Sequence, residues 1–260
     1  MMKNTIQITP AKEISVPWFK RWFDSAYYHH LYCNHNDEEA ADFIRNLCSW
    51  MQPLPGSQIL DLGCGAGRHS RQLATRGFRV TGIDLAASSI REAKKWENDS
   101  LHFVCQDMRI PFGTGRFDCI FNFFTSFGFF KTEDENNMVI RNISDALKEQ
   151  GALVLDYMNV CHVEKNLVPS EEREIDGIRY HITRWMDESF IYKKIIIEVE
   201  QSGEPFEHVE QVARFGFKNF DKMFRENGLK IRDVFGDYEL NPFDVQASPR
   251  LILVAEKVIK

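Results

Sequence analysis

Apolar residues recur along this chain with two different periods, and the changes of period mark its parts. From residue 58 to residue 157, short apolar runs alternate with segments of helical spacing. The strand-like runs are Gln58–Leu62, Arg79–Asp84, 101–106, 117–123 and 152–157. Helical spacing fills the gaps at 69–76, 88–96 and 133–148, and Thr132 and Glu135 stand in capping-box spacing at the start of the last. Strands alternating with helices predict a parallel sheet covered on both faces.

The flanks read differently. A helix is predicted to start at Pro17 and to carry Trp18, Phe19, Trp22, Phe23, Tyr27 and Tyr28. A second is predicted over Asp37–Met51, with acids in its first turn and Ala41, Ile44, Leu47 and Cys48 at helical spacing, ended by the 53–56 Pro-Leu-Pro-Gly turn. After Asn159 the α/β rhythm stops. Residues 173–214 read as antiparallel strands (179–186, 190–200 and 206–215), with Asp176-Gly177 as a hairpin signal and turns at 187–189 and 202–205. A helix over 220–227, with Asn219 as its N-cap and Gly228 past its end, is followed by strands at 230–235 and 250–258. The predicted fold class is therefore α/β: a doubly wound, seven-stranded Rossmann-like sheet with an antiparallel β insertion after the fifth strand. The expected organisation is a helical lid segment at 1–56, an α/β domain at 57–160 and 215–260, and an inserted subdomain at 161–214.

Composition narrows the partners. The 260 residues carry a net charge of −6 and hold no Lys/Arg-rich run, which disfavours a naked duplex as the substrate. The six cysteines (Cys33, Cys48, Cys64, Cys105, Cys119 and Cys161) form no C-x-x-C pair, so reduced thiols in a cytoplasmic protein are expected. The N-terminal residues have no apolar core of a leader, and no apolar run is long enough to cross a bilayer.

The chemistry concentrates in Asp61-Leu62-Gly63-Cys64-Gly65-Ala66-Gly67, where a strand feeds a glycine turn that feeds a helix. Glycine permits positive φ and close approach of a ligand, and amides at a helix start face what lies above them. A dinucleotide fingerprint needs its third glycine three residues after the second, and a phosphate loop needs Gly-Lys-Ser/Thr; glycines at 63, 65 and 67 followed by Arg68 satisfy neither. Asp84 ends the next strand, at the sheet edge where ligands bind and where an acid can accept both hydroxyls of a ribose; a solvated strand-end acid or a helix cap is the plainer alternative.

This pattern resembles motif I of the class I S-adenosylmethionine-dependent methyltransferases, D-x-G-x-G-x-G, on Asp61, Gly63, Gly65 and Gly67. The resemblance implies S-adenosyl-L-methionine as cofactor. It implies that Asp107 in Gln106-Asp107-Met108-Arg109 accepts from the adenine amino group while Met108 packs on the ring. It also implies that Asn122 and Phe123 lie at the methionine moiety, and it brings Cys64, Leu85 and Gln106 into the cofactor set. Asp118 matches a structural Phe-Asp motif, and 148–151 is similar to the family's L-K-P-G-G turn. Ala86 departs from the serine common at that position, which leaves Ser88 to cap the next helix. These resemblances span residues 59–158. The insertion and Ser126-Phe127-Gly128 are also similar to small-molecule N-methyltransferases, including the nucleotide-amino-sugar N,N-dimethyltransferases.

The acceptor side is read from what surrounds that cavity. Tyr28 and Tyr32 of the aromatic helix are candidates to close over the methionine end, against the alternative of ordinary core packing. His29 or His30, Tyr157 and Asn159 after strand five, and His162 are candidate acceptor-side groups, a base among them; Tyr28, His29 and Tyr157 are taken as the catalytic set. No Asn-Pro-Pro-Tyr follows strand four, no Pro-Cys nucleophile is present, and no His/Cys/Asp cluster has metal-ligand spacing. The expected function is methyl transfer to a small-molecule N or O acceptor, with no metal, no membrane partner and a homodimer through the insertion as one arrangement. Two alternatives stay open. One is an RNA (tRNA) base methyltransferase using Arg173, Arg179, Arg184, Lys193 and Lys194. The other is a non-catalytic cofactor-binding module whose acceptor pocket is filled by residues 126–130.

Overall fold

A computed structural model describes residues 17–32, 37–199 and 205–258; Cys33 and most of the 202–205 turn fall outside these residues. In chain order the elements are α1 (Trp18–Phe23), α2 (Ala26–Leu31), α3 (Asp37–Met51), β1 (Gln58–Leu62), α4 (Arg68–Ala74), β2 (Arg79–Asp84), α5 (Ala87–Ala93), β3 (Leu101–Cys105), β4 (Phe117–Asn122), α6 (Glu133–Ala146) and β5 (Leu147–Met158). Then follow α7 (Val160–Lys165), β6 (Ser170–Ile175), β7 (Ile178–Met186), β8 (Phe190–Val199), β9 (Phe206–Ala213), α8 (Phe217–Glu226), β10 (Leu229–Phe235) and β11 (Arg250–Lys257).

Seven strands form one sheet in the order β10-β11-β5-β4-β1-β2-β3. The five strands from β5 to β3 are parallel, and β11 runs antiparallel between β5 and β10. The period-two alternation sends neighbouring residues to opposite faces. Leu60, Ile120, Leu153 and Leu155 meet Val139, Ile140 and Ile143 of α6 and Phe220 and Phe224 of α8. Ile59, Phe121 and Val154 meet Phe43, Ile44 and Leu47 of α3 and Leu73 of α4. This is the doubly wound α/β arrangement read from the sequence. No helix among the described residues is long and apolar enough to cross a membrane.

The insertion after β5 is a four-stranded antiparallel sheet, β6-β7-β8-β9. Asp176 (φ 48°) and Gly177 (φ 77°) make the tight turn between β6 and β7, both left-handed as a type I′ hairpin requires. One face of this sheet, with Tyr180, Ile182, Ile195 and Ile197, packs on Trp22 and Leu31 of the N-terminal helices.

Three local expectations are corrected. The first helix is two: Asp24 ends α1, and the Ser25 side chain accepts from the Tyr28 amide to start α2. The helix read at 220–227 begins a turn earlier, capped at Gly216; Asn219 is its third residue, and its Oδ1 reaches back to the Gly216 amide at 2.9 Å. Ser88 does not cap α5 with its side chain, because the chain partner arrives from α1: Asp24 accepts from the Ser88 amide at 2.6 Å.

Candidate functional site

A cavity of about 150 Å³ lies beyond the carboxyl ends of β1, β2 and β4. Its floor is the glycine loop and its roof is aromatic. Gly63 (φ 78°) and Gly65 (φ 54°) line it. A Cβ at Gly63 would stand 2.6 Å from Ser126 Cβ, so glycine is required there for two loops to meet. Gly67 serves a different purpose. Its own Cβ would collide with the Phe103 ring at 2.5 Å, and it does not reach the cavity.

The loop amides do not point at a ligand in the way a phosphate loop would. Those of Gly63 and Cys64 donate to the Ile83 carbonyl at 2.7 and 3.0 Å, and that of Gly67 donates to the Cys64 carbonyl at 2.9 Å. The Gly65 amide donates to Asp84 Oδ2 at 2.8 Å. Asp84 Oδ1 accepts from the Ala86 amide at 2.8 Å. Each carboxylate oxygen thus keeps a second lone pair, and Asp84 lines the cavity with it available to a pair of hydroxyls. Burial pushes the Asp84 carboxyl above its ordinary value, against the backbone hydrogen bonds that favour its charge.

Leu85, Gln106, Asp107 and Met108 line the same wall. Arg109 grips Asp107 in a fork, Nη2 to Oδ2 at 2.7 Å and Nε to Oδ1 at 3.1 Å, and reaches Glu135 at 2.7 Å. Burial pushes the Asp107 carboxyl up, the Arg109 hydrogen bonds outweigh it, and the group ends below its ordinary value. Asp107 is therefore held ionised, with Met108 beside it.

Asp61, Cys64, Asn122 and Phe123 lie beneath or behind the cavity wall. Asp61 is buried and accepts from Ser70 Oγ at 2.5 Å; burial raises its carboxyl to about 6. Asn122 donates Nδ2 to the Leu62 carbonyl at 2.7 Å, supporting the loop from below, and its buried Oδ1 has no partner. Cys64 packs in the core on the α3 side, under Gly82. Phe123 points the same way, against Phe43 and His69.

The turn that Phe124 makes with Thr125 was not legible in the sequence. Phe124 (φ 55°) and Thr125 (φ 59°) are consecutive left-handed residues that swing the chain across the cavity. Such backbone strain persists only where the surroundings over-determine it. Here Asp156, fully buried, accepts the Phe124 amide at 2.9 Å and the Tyr238 hydroxyl at 3.1 Å on one oxygen and Arg250 at 2.7 Å on the other, while its carbonyl takes the Thr125 amide at 3.0 Å. Arg250 also donates to Thr125 Oγ1 at 3.1 Å.

The roof comes from α1, α2 and the loop after β4. Phe19, Phe23, Tyr28, Phe129 and Phe130 face the cavity. Phe127, between them in sequence, turns into the core, so the 126–130 segment leaves the cavity open. Tyr28 is flanked by Trp22, Phe23 and Tyr32 at ring separations of 5.7, 5.1 and 4.9 Å. Burial, with Glu210 nearby, raises the Tyr28 hydroxyl far above its ordinary value. Tyr32 stands one ring further out and does not line the cavity. Its hydroxyl donates to Glu210 Oε1 at 3.1 Å and accepts from Lys193, and Trp22 Nε1 donates to the same Glu210 oxygen at 2.6 Å.

Two members of the expected catalytic set are elsewhere. His29 contacts Ser88 Oγ at 3.0 Å and does not line the cavity. Tyr157 is fully buried, with its hydroxyl donated to the Ala213 carbonyl at 2.6 Å and set against Gly128, where it joins the sheet to the end of β9. His30 faces the insertion, at 2.6 Å from the Tyr180 hydroxyl. Asn159 caps α7 and bonds the Ser248 carbonyl.

A family profile described as a methyltransferase domain matches residues 59–151. The cypemycin N-terminal methyltransferase of Streptomyces sp is 33% identical over 233 residues, spanning 83% of this chain and 94% of that one. Among solved structures, an S-adenosylmethionine-dependent methyltransferase from Clostridium acetobutylicum superposes with a TM-score of 0.74 at 18% identity, covering 90% of this chain and 96% of that one. The S-adenosylmethionine-bound amino pentose methyltransferase CalS10 from Micromonospora echinaspora gives 0.65 at 21% identity, covering 90% and 98%. With the glycine floor, Asp84 and Asp107 disposed around one cavity, the chain belongs to the class I S-adenosylmethionine-dependent methyltransferases.

Proposed function

We propose that this enzyme methylates an amine nitrogen of a small molecule. The observation that carries the reading is the chemistry of the cavity wall. Among the described residues, its lining holds no His, Cys or Lys. Its two carboxylates, Asp84 and Asp107, stand at the cofactor positions, and the Tyr28 hydroxyl is held protonated. A hydroxyl acceptor needs a base to remove its proton during attack, whereas an amine that enters neutral does not. The bound cofactor supplies a methyl group already activated on a sulfonium. The chain's own contribution is alignment and exclusion of water, an effect worth up to roughly 7–11 kcal/mol. Gly63, Ser126 and the strained Phe124-Thr125 turn set the floor, and Phe19, Phe23, Tyr28 and Phe129 shut out water from above.

Ion pairing in the insertion supports a small acceptor over RNA. Every one of the five basic residues that could build a groove there has a glutamate partner: Arg173 and Arg184 with Glu171, Arg179 with Glu198, Lys193 with Glu210 and Lys194 with Glu207. A surface neutralised in this way leaves little free charge to displace counterions from a phosphate backbone. The names of two similar proteins, an amino pentose methyltransferase and a cypemycin N-terminal methyltransferase, fit an amine acceptor.

The test is mass spectrometry of a small-amine panel (amino sugars, amino acids and short peptides) incubated with enzyme and S-adenosylmethionine. The expected result is a mass gain of one methylene on nitrogen in at least one amine. Transfer to hydroxyl compounds or to bulk tRNA alone would refute the reading.

A further inference from the structure

Three segments of the cavity wall meet on one guanidinium. Arg109 follows Met108 in the loop after β3. Phe19 belongs to α1 and Phe130 to the loop after β4, and both rings line the cavity together with Asp107. On one side the guanidinium meets carboxylates. It forks onto Asp107, the Arg109 amide adds a bond to Asp107 Oδ1 at 2.9 Å, and Nη1 donates to Glu135 of α6 at 2.7 Å. The same group lies over the roof. Its Cζ is 4.9 Å from the centre of the Phe130 ring and 5.6 Å from that of Phe19. Those two rings meet edge to face, 5.6 Å apart at 86°.

A guanidinium suits both tasks at once. Its planar fork matches a carboxylate, and its delocalised, weakly hydrated charge is attracted to an aromatic face. An ammonium has neither the fork nor the plane. The two partners therefore depend on each other through it. Asp107 is aimed by the three N–H groups of Arg109 that it accepts, and the rings of Phe19 and Phe130 are drawn to a cation that Asp107 and Glu135 hold in place. The wall that offers a ligand an acceptor and the roof that covers that ligand share one side chain.

We propose that Arg109 is a positioning residue that couples the Asp107 wall to the aromatic roof: a ligand held at Asp107 favours closure of Phe19 and Phe130, and closure slows that ligand's escape. Coupling of this kind is reciprocal. The inference goes beyond the amine reading, since it concerns residence in the cofactor cavity and holds whichever acceptor is methylated.

The test is binding of S-adenosylhomocysteine to the full chain, with Kd from calorimetry and release rates from stopped-flow displacement. Arg109→Lys keeps a cation beside Asp107 but loses the fork and the plane, and release is expected to quicken roughly ten-fold. Phe19→Leu should quicken release by a similar factor in the wild type. In the Arg109→Lys background it should add less than about two-fold, because the connection is already gone. Arg109→Met removes the charge as well. Burial then pushes the Asp107 carboxyl up, with the amide of residue 109 and Lys20 of α1 left to oppose it and Glu135 released to add to it. Affinity should fall, relative to the wild type, as pH is lowered from about 8 to about 5, while Arg109→Lys follows the wild-type profile. Asp61 and Asp84 titrate in both proteins, so the ratio of the two Kd values isolates Asp107. Wild-type release in Arg109→Lys, additive effects of Arg109→Lys and Phe19→Leu, a pH-independent ratio for Arg109→Met, or undiminished binding in Asp107→Asn would each overturn the proposal. Should Arg109→Met not fold, the double-mutant cycle between positions 19 and 109 decides alone. No readout requires methyl transfer, so failure of the amine panel leaves this proposal standing, and its own failure leaves the amine reading standing.

Discussion

The glycine floor and the aromatic roof face each other across one cavity, and they are fastened by different kinds of bond. The floor is held by backbone. Gly63 and Cys64 hang from the Ile83 carbonyl, and Asp84 accepts the amides of Gly65 and Ala86, all within a span of residues 63–86. The roof is held by side chains from far along the chain: Trp22 and Tyr32 to Glu210, and His30 to Tyr180. A floor built largely on local bonds to the backbone needs glycines at the right spacing, an acid at the next strand end and the Asn122 amide beneath it. A roof built on remote side-chain pairs can be rebuilt for another acceptor without touching the floor. On the proposed function, that division separates what the cofactor fixes from what the substrate selects.

The comparison can be broken at its junction, where the largest effect is expected. Asp156→Ala should destabilise the fold by about 3–5 kcal/mol, because it removes the fully buried partner of the partly buried Arg250 guanidinium and releases the Phe124-Thr125 turn. Urea denaturation measures it, and a loss under 1 kcal/mol would show that the turn holds itself. Asp84→Ala should weaken S-adenosylmethionine binding roughly 100-fold or more, since it removes a charged acceptor for the ligand and two bonds that shape the loop. Calorimetry decides this, and the roof's own packing should be untouched.

Asp61 sharpens the comparison through pH. Its carboxyl is raised from 3.8 to about 6 by burial, so the neutral form is the one the fold prefers. The corresponding stability is fully present below about pH 4 and is lost as pH rises through 6. Asp61→Asn keeps an acceptor for Ser70 and removes the buried charge. It should therefore stabilise the protein by about 2–3 kcal/mol at pH 8, with the difference vanishing near pH 4. Melting curves across that range test it, and a pH-independent difference would refute it. The smallest effect belongs to the roof. Glu210→Gln should cost about 1 kcal/mol, raise KM for the acceptor more than it lowers kcat, and shift Trp22 emission. A change confined to kcat would mean that Glu210 acts at the reacting atoms.

What could be read from the sequence follows the same division. The order of the α/β elements, the D-x-G-x-G-x-G floor, Asp84 and Asp107 are legible because strand period, glycine spacing and strand-end position are local properties of the chain. Gly67 and Phe123 matched the pattern while serving the packing of Phe103 and Phe43, since spacing says which residues are near a ligand and not which way each side chain turns. Tyr157 was misleading for a related reason. It stands at the carboxyl end of β5, the correct edge, but the chain from 128 and from 213 closes over it. The left-handed pair at 124–125 carried no signal, because neither Phe nor Thr favours positive φ and the groups that impose it lie at 156, 238 and 250.

The placement of β11 has a consequence for how the enzyme is made. It follows β10 in the chain yet lies between β10 and β5. Until residues 250–257 leave the ribosome, β5 presents a long, apolar, unpaired edge, the kind of edge along which nascent chains associate wrongly. Arg250 arrives on that same strand, so the turn that forms one wall of the cavity can be locked only when the sheet is sealed. A nascent chain stalled short of this strand would carry its complete glycine motif and still lack a finished cavity wall, so a closed cavity reports that synthesis has passed β11.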